Sequence, residues 1–316
     1  MKKTLKVYFL DWYDSIIPGS SNDNLFIYLL SEYYDVVIDK NNPDVLFYAL
    51  NNNAHLSYKN CIKIFVTAEP GHWHPNELYK YNNDRSFKSV NDADHVLLSY
   101  KIDDDKYYYF PIFLLWLYHH INVTKYIKSY ESLTEYKNFT IDDIKNRKFC
   151  SFLYANPWPI KRKEIYDKLS KYKIIDSNIF NKNIDIKGYY NDEFGGSLTK
   201  IKFNKDYKFT FAFSNHFYKD HDTYKNPGFI DEKILESYLS NTIPLYYGDD
   251  NMYDFFNEGS LLNWHDFDND SDFINKIIEL DNNDDLYLEY LNKPMLRCVD
   301  DLKLKELSLY LKKIIK

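Results

Sequence analysis

The sequence predicts an α/β protein built from two doubly wound domains facing a cleft, and three observations carry that expectation. The chain has 316 residues, long for a single core and comfortable for two domains of ordinary size. Short β-rich apolar runs alternate with helical patterns along both halves, which implies mostly parallel sheets. Between the halves, residues 119–146 are rich in Lys, Tyr and Asn and contain no long strand. The expected domains are 1–145 and 146–295, with 296–316 as a C-terminal helix.

In the first half, Leu5–Leu10 reads as a strand. Asn24–Tyr34 has apolar residues at helical spacing, with Asp23 or Asn22 as its cap. Asp35–Ile38 and Val45–Ala49 are short strands, Cys61–Thr67 is a buried one, His95–Ser99 follows, and Tyr107–Leu115 has room for one more. In the second half, Phe149–Tyr154 is a strand, ANPWP a turn and Ile160–Tyr172 a helix. Pro159 suits that helix start, where a missing N–H costs little. Phe209–Ser214, Ile243–Tyr247 and Ser260–Trp264 read as strands. Asp231–Ser240, Phe267–Leu280, Leu286–Leu291 and Asp301–Ile315 read as helices, the last a packing element in preference to a basic surface helix.

Bulk composition narrows the function. Apolar residues make up 45% of the chain, enough for real cores. The 32 tyrosines fit either AT-rich codon usage or a sugar-binding surface, and composition does not separate the two. A net charge of −7 with no basic stripe argues against nucleic acid and against docking on anionic lipid by charge alone. Cys61, Cys150 and Cys298 lie far apart, without ligand spacing, so neither a disulfide framework nor a structural zinc is expected. Cys61 and Cys150 read as buried small hydrophobes. The apolar run after Met1 is too short for a signal peptide, and no run reaches transmembrane length.

Open parallel sheets bind ligands beyond the carboxyl ends of their strands, so the loops there hold the candidate residues. Asp231 is placed to cap a helix whose first turn carries Glu232 and Lys233. A lysine there opposes the helix dipole, and an incoming phosphate would account for it; an ordinary charged first turn is the plainer reading. Glu232 can accept hydrogen bonds from sugar or ribose hydroxyls. Arg162, opening the helix after ANPWP, offers bidentate donors to phosphate oxygens, although Lys161 and Lys163 also suit a solvated basic face. Glu69, directly after CIKIFVT, suits a general base or a solvated loop. His72 and His74 are alternative bases or metal ligands, or surface residues. Asp103-Asp104-Asp105 reads as a polar turn and not as a phosphate–metal site, so no metal site is expected.

The stretch YKFTFAFSN…PGFIDEKILESYLSNTIPLYYGD resembles the hallmark segment of the α1,3-fucosyltransferase family, roughly YKFNLxFEN…GYxTEKIxxAxxxxxIPIYWG. FCSFLYANPWPIKRKEIYDKL, KIFVTAEP and LLNWHDFDND resemble further family segments in the family's order, across most of residues 5–295. The resemblance implies a GT-B arrangement of two Rossmann-like domains. It also implies GDP-fucose as donor, inversion at the anomeric carbon, and no obligatory metal or other cofactor. Residue by residue, Glu69 matches the general base, Arg162 and Lys233 the cations on the diphosphate, Glu232 the glutamate at the nucleotide sugar, and Asn215 the Asn of the FEN motif.

Several positions depart from the pattern. Ser214 stands in place of glutamate and Asp231 in place of threonine. Ala68 and Pro70 flank Glu69 where Gly and Asn are typical, GHWHPN forms a longer loop, and HFYKDHDTYKN reads as an insertion. These changes leave the acceptor open. The expected reaction is fucosyl transfer from GDP-fucose to a hydroxyl, O3 of GlcNAc or Glc, on an oligosaccharide or polysaccharide. Two alternatives stay open: a same-fold transferase using another nucleotide sugar, and a catalytically inactive glycan-binding protein. Without an export signal the expected location is cytoplasmic, with peripheral membrane association left open, and the extended basic tail of some relatives is not expected.

Overall fold

The computed structural model describes residues 2–10, 23–49, 54–67, 90, 92–103, 105, 107–154, 160–184, 197–215 and 227–315. They form two compact units. One comprises Met1–Tyr126, Tyr218–Phe229 and Leu302–Lys316, and the other Ile127–Phe217 and Ile230–Asp301. The connector foreseen at 119–146 therefore divides, with its residues from Ile127 onward joining the second unit.

Among the described residues the first unit has six strands: β1 (Lys3–Leu10), β2 (Tyr34–Ile38), β3 (Val45–Tyr48), β4 (Ile62–Val66), β5 (His95–Leu98) and β6 (Tyr107–Tyr109). All pairings are parallel, in the order β2-β1-β3-β4-β5-β6. Strand β3, inside the sheet, is apolar throughout because both of its faces are covered, and every one of its residues is buried. Helix α1 (Leu25–Leu30) is capped by Asn24, whose Oδ1 accepts the N–H groups of Phe26 at 3.0 Å and Ile27 at 3.2 Å. Asn24 thus replaces the expected Asp23 or Asn22, and Asp23 instead accepts the Tyr118 hydroxyl at 2.7 Å. The apolar run after Pro111 is helix α2 (Phe113–Tyr118), buried throughout.

The second unit has β7 (Lys148–Phe152), β8 (Ile175–Ser177), β9 (Tyr207–Phe213), β10 (Ile243–Tyr247) and β11 (Leu262–Asn263). They too are all parallel, in the order β11-β10-β9-β7-β8. Its helices are α3 (Ile141–Ile144), α4 (Ile160–Leu169), α5 (Ser197–Asn204), α6 (Glu232–Leu239), α7 (Asp270–Asn282) and α8 (Asp284–Asn292). The strand expected at Ser260–Trp264 shrinks to two residues, because the Asn263 side chain accepts the His265 N–H at 3.3 Å and turns the chain. Strand β8 and helix α5 were not foreseen.

Helix α9 (Leu304–Ile314) belongs to the first unit, burying Leu307, Ser308 and Leu311. Ser308 donates to Glu32 at 2.9 Å, Tyr310 stacks on Tyr108 with centroids 4.1 Å apart, and Tyr34 donates to the Ile315 carbonyl at 2.7 Å. The leucine pattern is therefore a packing face. Cys150 is buried as expected, Cys61 only half-buried, and all three thiols are free. Among the described residues no helix is long and apolar enough to cross a membrane.

Phe47 on β3 is inaccessible and stacks against Phe9 and Phe26, each ring centroid 4.9 Å away. Phe47→Ala should destabilise the first unit by about 3–5 kcal/mol, the usual cost of emptying such a position, measured by urea denaturation. A loss below about 1 kcal/mol would show that these rings do not hold the sheet to α1.

Candidate active site in the second unit

In the second unit the strand order reverses direction between β7 and β9. Connections leaving these two strands go to opposite sides of the sheet, which opens a crevice at their carboxyl ends. Four of the five candidate residues lie on the segments that leave these two strands: Arg162 after β7, and Asn215, Glu232 and Lys233 after β9.

Arg162, on the first turn of α4, is inaccessible to solvent. Its Nη2 donates to the Phe213 carbonyl at 2.6 Å and to Asn215 Oδ1 at 2.7 Å. Its guanidinium carbon lies 3.8 Å from the centre of the Tyr154 ring. The Tyr154 hydroxyl lies 3.0 and 3.1 Å from the carbonyls of Phe211 and Phe213, and it accepts the Phe213 N–H at 2.8 Å. Tyr154 thus fixes the end of β9 and supports the arginine on its ring face. Burial pushes the Arg162 pKa down, opposed by Tyr154, Asp231 and Glu232. Burial also pushes the Tyr154 phenol up, to about 12, so it stays a neutral hydroxyl. Arg162 is therefore no solvated basic face: a buried cation is tolerated only where neighbouring groups compensate for lost water.

Across the crevice, Asp231 is the N-cap of α6. Its side chain accepts the Lys233 N–H at 3.2 Å and the Lys233 ammonium at 3.0 Å. The ammonium also donates to Glu232 Oε1 at 2.9 Å. The conflict between a first-turn lysine and the helix dipole is thus offset by two adjacent carboxylates. An ammonium carries three donors, and among the described residues these two bonds engage two of them. Lys233 is raised above its ordinary range: burial works against the charge, and Asp231 and Glu232 more than compensate. For Glu232 burial pushes the carboxyl up, but Lys233 and Lys200 together bring it well below its ordinary range. Lys200, from α5, lies 3.3 Å from Glu236, one turn further along α6, whose carboxyl is raised chiefly by burial.

The remaining wall comes from β10 and β11. Gly248 follows β10 where a Cβ would stand 2.5 Å from the Tyr246 hydroxyl and 3.2 Å from Ser214 Cβ, so only glycine fits. His265 Nε2 lies 2.9 Å from the Gly248 carbonyl, and the ring stacks on Tyr247 at 5.2 Å. Sequence reasoning found Arg162, Asn215, Glu232 and Lys233, and the structure gathers them in two clusters at neighbouring strand ends. It missed Tyr154, Lys200 and His265. The LLNWHDFDND match was a signal for His265, but nothing local distinguishes Tyr154 or Lys200 from the many other tyrosines and lysines. Glu69, His72, His74, the ANPWP turn and the HFYKDHDTYKN insertion lie outside the described residues. Among the described residues, no group of three or more His, Cys, Asp or Glu side chains is arranged to hold a metal ion.

Residues 143–294, nearly all within this unit, match the family model for glycosyltransferase family 10 (fucosyltransferase), C-terminal part. The chain resembles that family over just under half of its length. It is 27% identical to the α-(1,3)-fucosyltransferase FucT of Helicobacter pylori over 340 residues, covering 98% of this chain and 64% of that protein. It is 30% identical over 152 residues to a protein of Acanthamoeba polyphaga mimivirus named "Putative fucosyltransferase", covering 47% of this chain and 24% of the viral protein. The chain thus spans less than two thirds of each of these relatives. A crystal structure of an α1,3-fucosyltransferase with GDP superposes with a TM-score of 0.66 at 22% identity, covering 99% of this chain and 91% of the other. One with GDP-fucose does so at 0.66 and 20%, covering 100% and 91%. The fold, two parallel-sheet α/β domains, is that of GT-B glycosyltransferases, and the charged residues described above lie within the segment 143–294 that matches the family model.

The depressed Glu232 carboxyl sets a pH dependence. A folded pKa below the unfolded value adds stability above the unfolded pKa, about 4.3 for Glu, and that stability is lost as pH falls through the folded value. Glu232→Gln should therefore flatten the decline of the urea midpoint below about pH 4.3. An acid limb as steep as that of the wild type would place the pairing with Lys233 outside the stability of this unit.

Proposed function

We propose that the chain transfers fucose from GDP-fucose to an acceptor hydroxyl, O3 of a GlcNAc or glucose unit in a glycan, with inversion at the anomeric carbon. The observation that carries this reading is the pair of cations, Arg162 and Lys233, held on either side of the end of β9 within the segment that matches the family model. Breaking the bond between the anomeric carbon and the β-phosphate oxygen leaves its electron pair on GDP. Fixed positive charge lowers the barrier where that negative charge develops. Arg162 and Lys233 supply it in this reading, and the N–H groups opening α6 add to it. Asn215 orients the arginine, and Glu232 accepts from sugar or ribose hydroxyls while holding Lys233. The acceptor oxygen forms the new bond to the anomeric carbon and gives its proton to a carboxylate. Glu69 is assigned that role because it matches the general base in the KIFVTAEP segment. No cofactor is needed for this bond exchange.

Two measurements test the reading. GDP release from GDP-fucose over a panel of GlcNAc- and glucose-containing acceptors should be acceptor-dependent, and Glu69→Ala should lower it by at least roughly a hundredfold, as for loss of a general base. Undiminished turnover in that variant removes Glu69 from the role. GDP should raise the melting temperature well above the value reached with UDP. Greater protection by UDP would favour a different nucleotide sugar.

A further inference from the structure

The two positions of the donor segment that depart most clearly from the fucosyltransferase pattern touch each other. Ser214 Oγ donates to Asp231 Oδ2 at 2.9 Å. In the pattern, a carboxylate stands at the strand-end position and a hydroxyl at the helix cap; here the hydroxyl is on the strand and the carboxylate on the helix. Either order allows one O–H···O⁻ bond between the end of β9 and the start of α6. What changes is where the negative charge is anchored. On the helix it lies two residues before Lys233, close enough to take both the backbone N–H and the ammonium of that lysine, at 3.2 and 3.0 Å.

We propose that Ser214 and Asp231 act as one positioning unit for Lys233. Ser214 is inaccessible, and its N–H is given to the Tyr247 carbonyl at 2.8 Å, so its hydroxyl starts from a fixed backbone. The residues on either side of it, Phe213 and Asn215, both accept from Arg162. One strand end thereby sets both cations: its flanking residues hold Arg162, and the residue between them holds the carboxylate that holds Lys233. Asp231 offers two oxygens to three donors, and the Ser214 bond fixes which oxygen faces the ammonium. Neither residue needs to touch the ligand. The inference rests on the diphosphate role proposed for Lys233.

The test is calorimetric binding of inorganic pyrophosphate and, separately, of GDP to the whole chain, with melting temperatures measured beside it. Ser214→Ala adds no atoms and should melt within a few degrees of the wild type, yet bind both ligands about threefold to tenfold more weakly, the worth of one hydrogen bond. Asp231→Ser keeps a capping side chain and should lose at least as much. The exchanged pair S214D/D231S restores a hydroxyl facing a carboxylate and should bind better than either single variant. Unchanged affinity in Ser214→Ala overturns the inference, as does an exchanged pair whose loss equals the product of the two single losses. If the wild type binds pyrophosphate but not GDP, the nucleotide reading fails alone, and the pair is judged on pyrophosphate. Binding of neither overturns both.

Discussion

The second unit is organised around a positive charge without access to water. A guanidinium moved out of solvent loses several kcal/mol of hydration, and the surrounding chain must replace it. For Arg162 the replacement comes from an aromatic face, a main-chain carbonyl and a side-chain amide. These groups belong to the ends of two different strands, so β7 and β9 must be neighbours, parallel and in register for the arginine to be tolerated. Tyr154 makes the requirement strict, because its hydroxyl is also bonded along the last residues of β9. Removing the charge and leaving its partners buried would cost this unit at the point where its sheet changes direction.

The opposing cation follows a different rule. Lys233 is neutralised by carboxylates one and two residues away. Such pairs hold a flexible ammonium in place and lessen the penalty of gathering like charges before any anion arrives. With Lys200 and Glu236 included, the cluster among the described residues holds three cations, Arg162, Lys200 and Lys233, against three acids, Asp231, Glu232 and Glu236. In the proposed reaction a diphosphate would meet charges already held by one another, the condition under which fixed dipoles and charges act without reorganising.

Much of this was legible in the sequence, and the exceptions have physical reasons. Strands β3 and β10 announce themselves as unbroken apolar runs because both of their faces are covered, and β4 and β9 are interrupted only by Lys63 and by Lys208 and Thr210. The cap of α6 is visible because Asp precedes an apolar helical pattern. Strand β8 is not, since three residues at a sheet edge are too few to show a period. Helix α5 buries only Ser197, Ile201 and Asn204, too polar a face to stand out from a loop. The α1 cap went to Asn24 because the neighbouring Asp23 is engaged by Tyr118, a partner 95 residues away that no local pattern reveals. The same holds for the crevice. Residue types at strand ends suggested Arg162 and Lys233, whereas the Ser214–Asp231 bond joins residues 17 positions apart in sequence and needs the fold to be seen.

The return of α9 to the first unit has a consequence for how the protein is made. Chains leave the ribosome from the amino end, and domains commonly fold in that order as they emerge. Here the first unit lacks the helix that packs on α1 and Tyr108 until residues 304–314 have been synthesised. The second unit is complete by Asp301. The later-encoded unit is thus the first to have all its parts, and during synthesis the earlier one waits with the α1 face that receives Ser308 still uncovered. A chaperone that shields exposed apolar surface would meet the first unit during that interval.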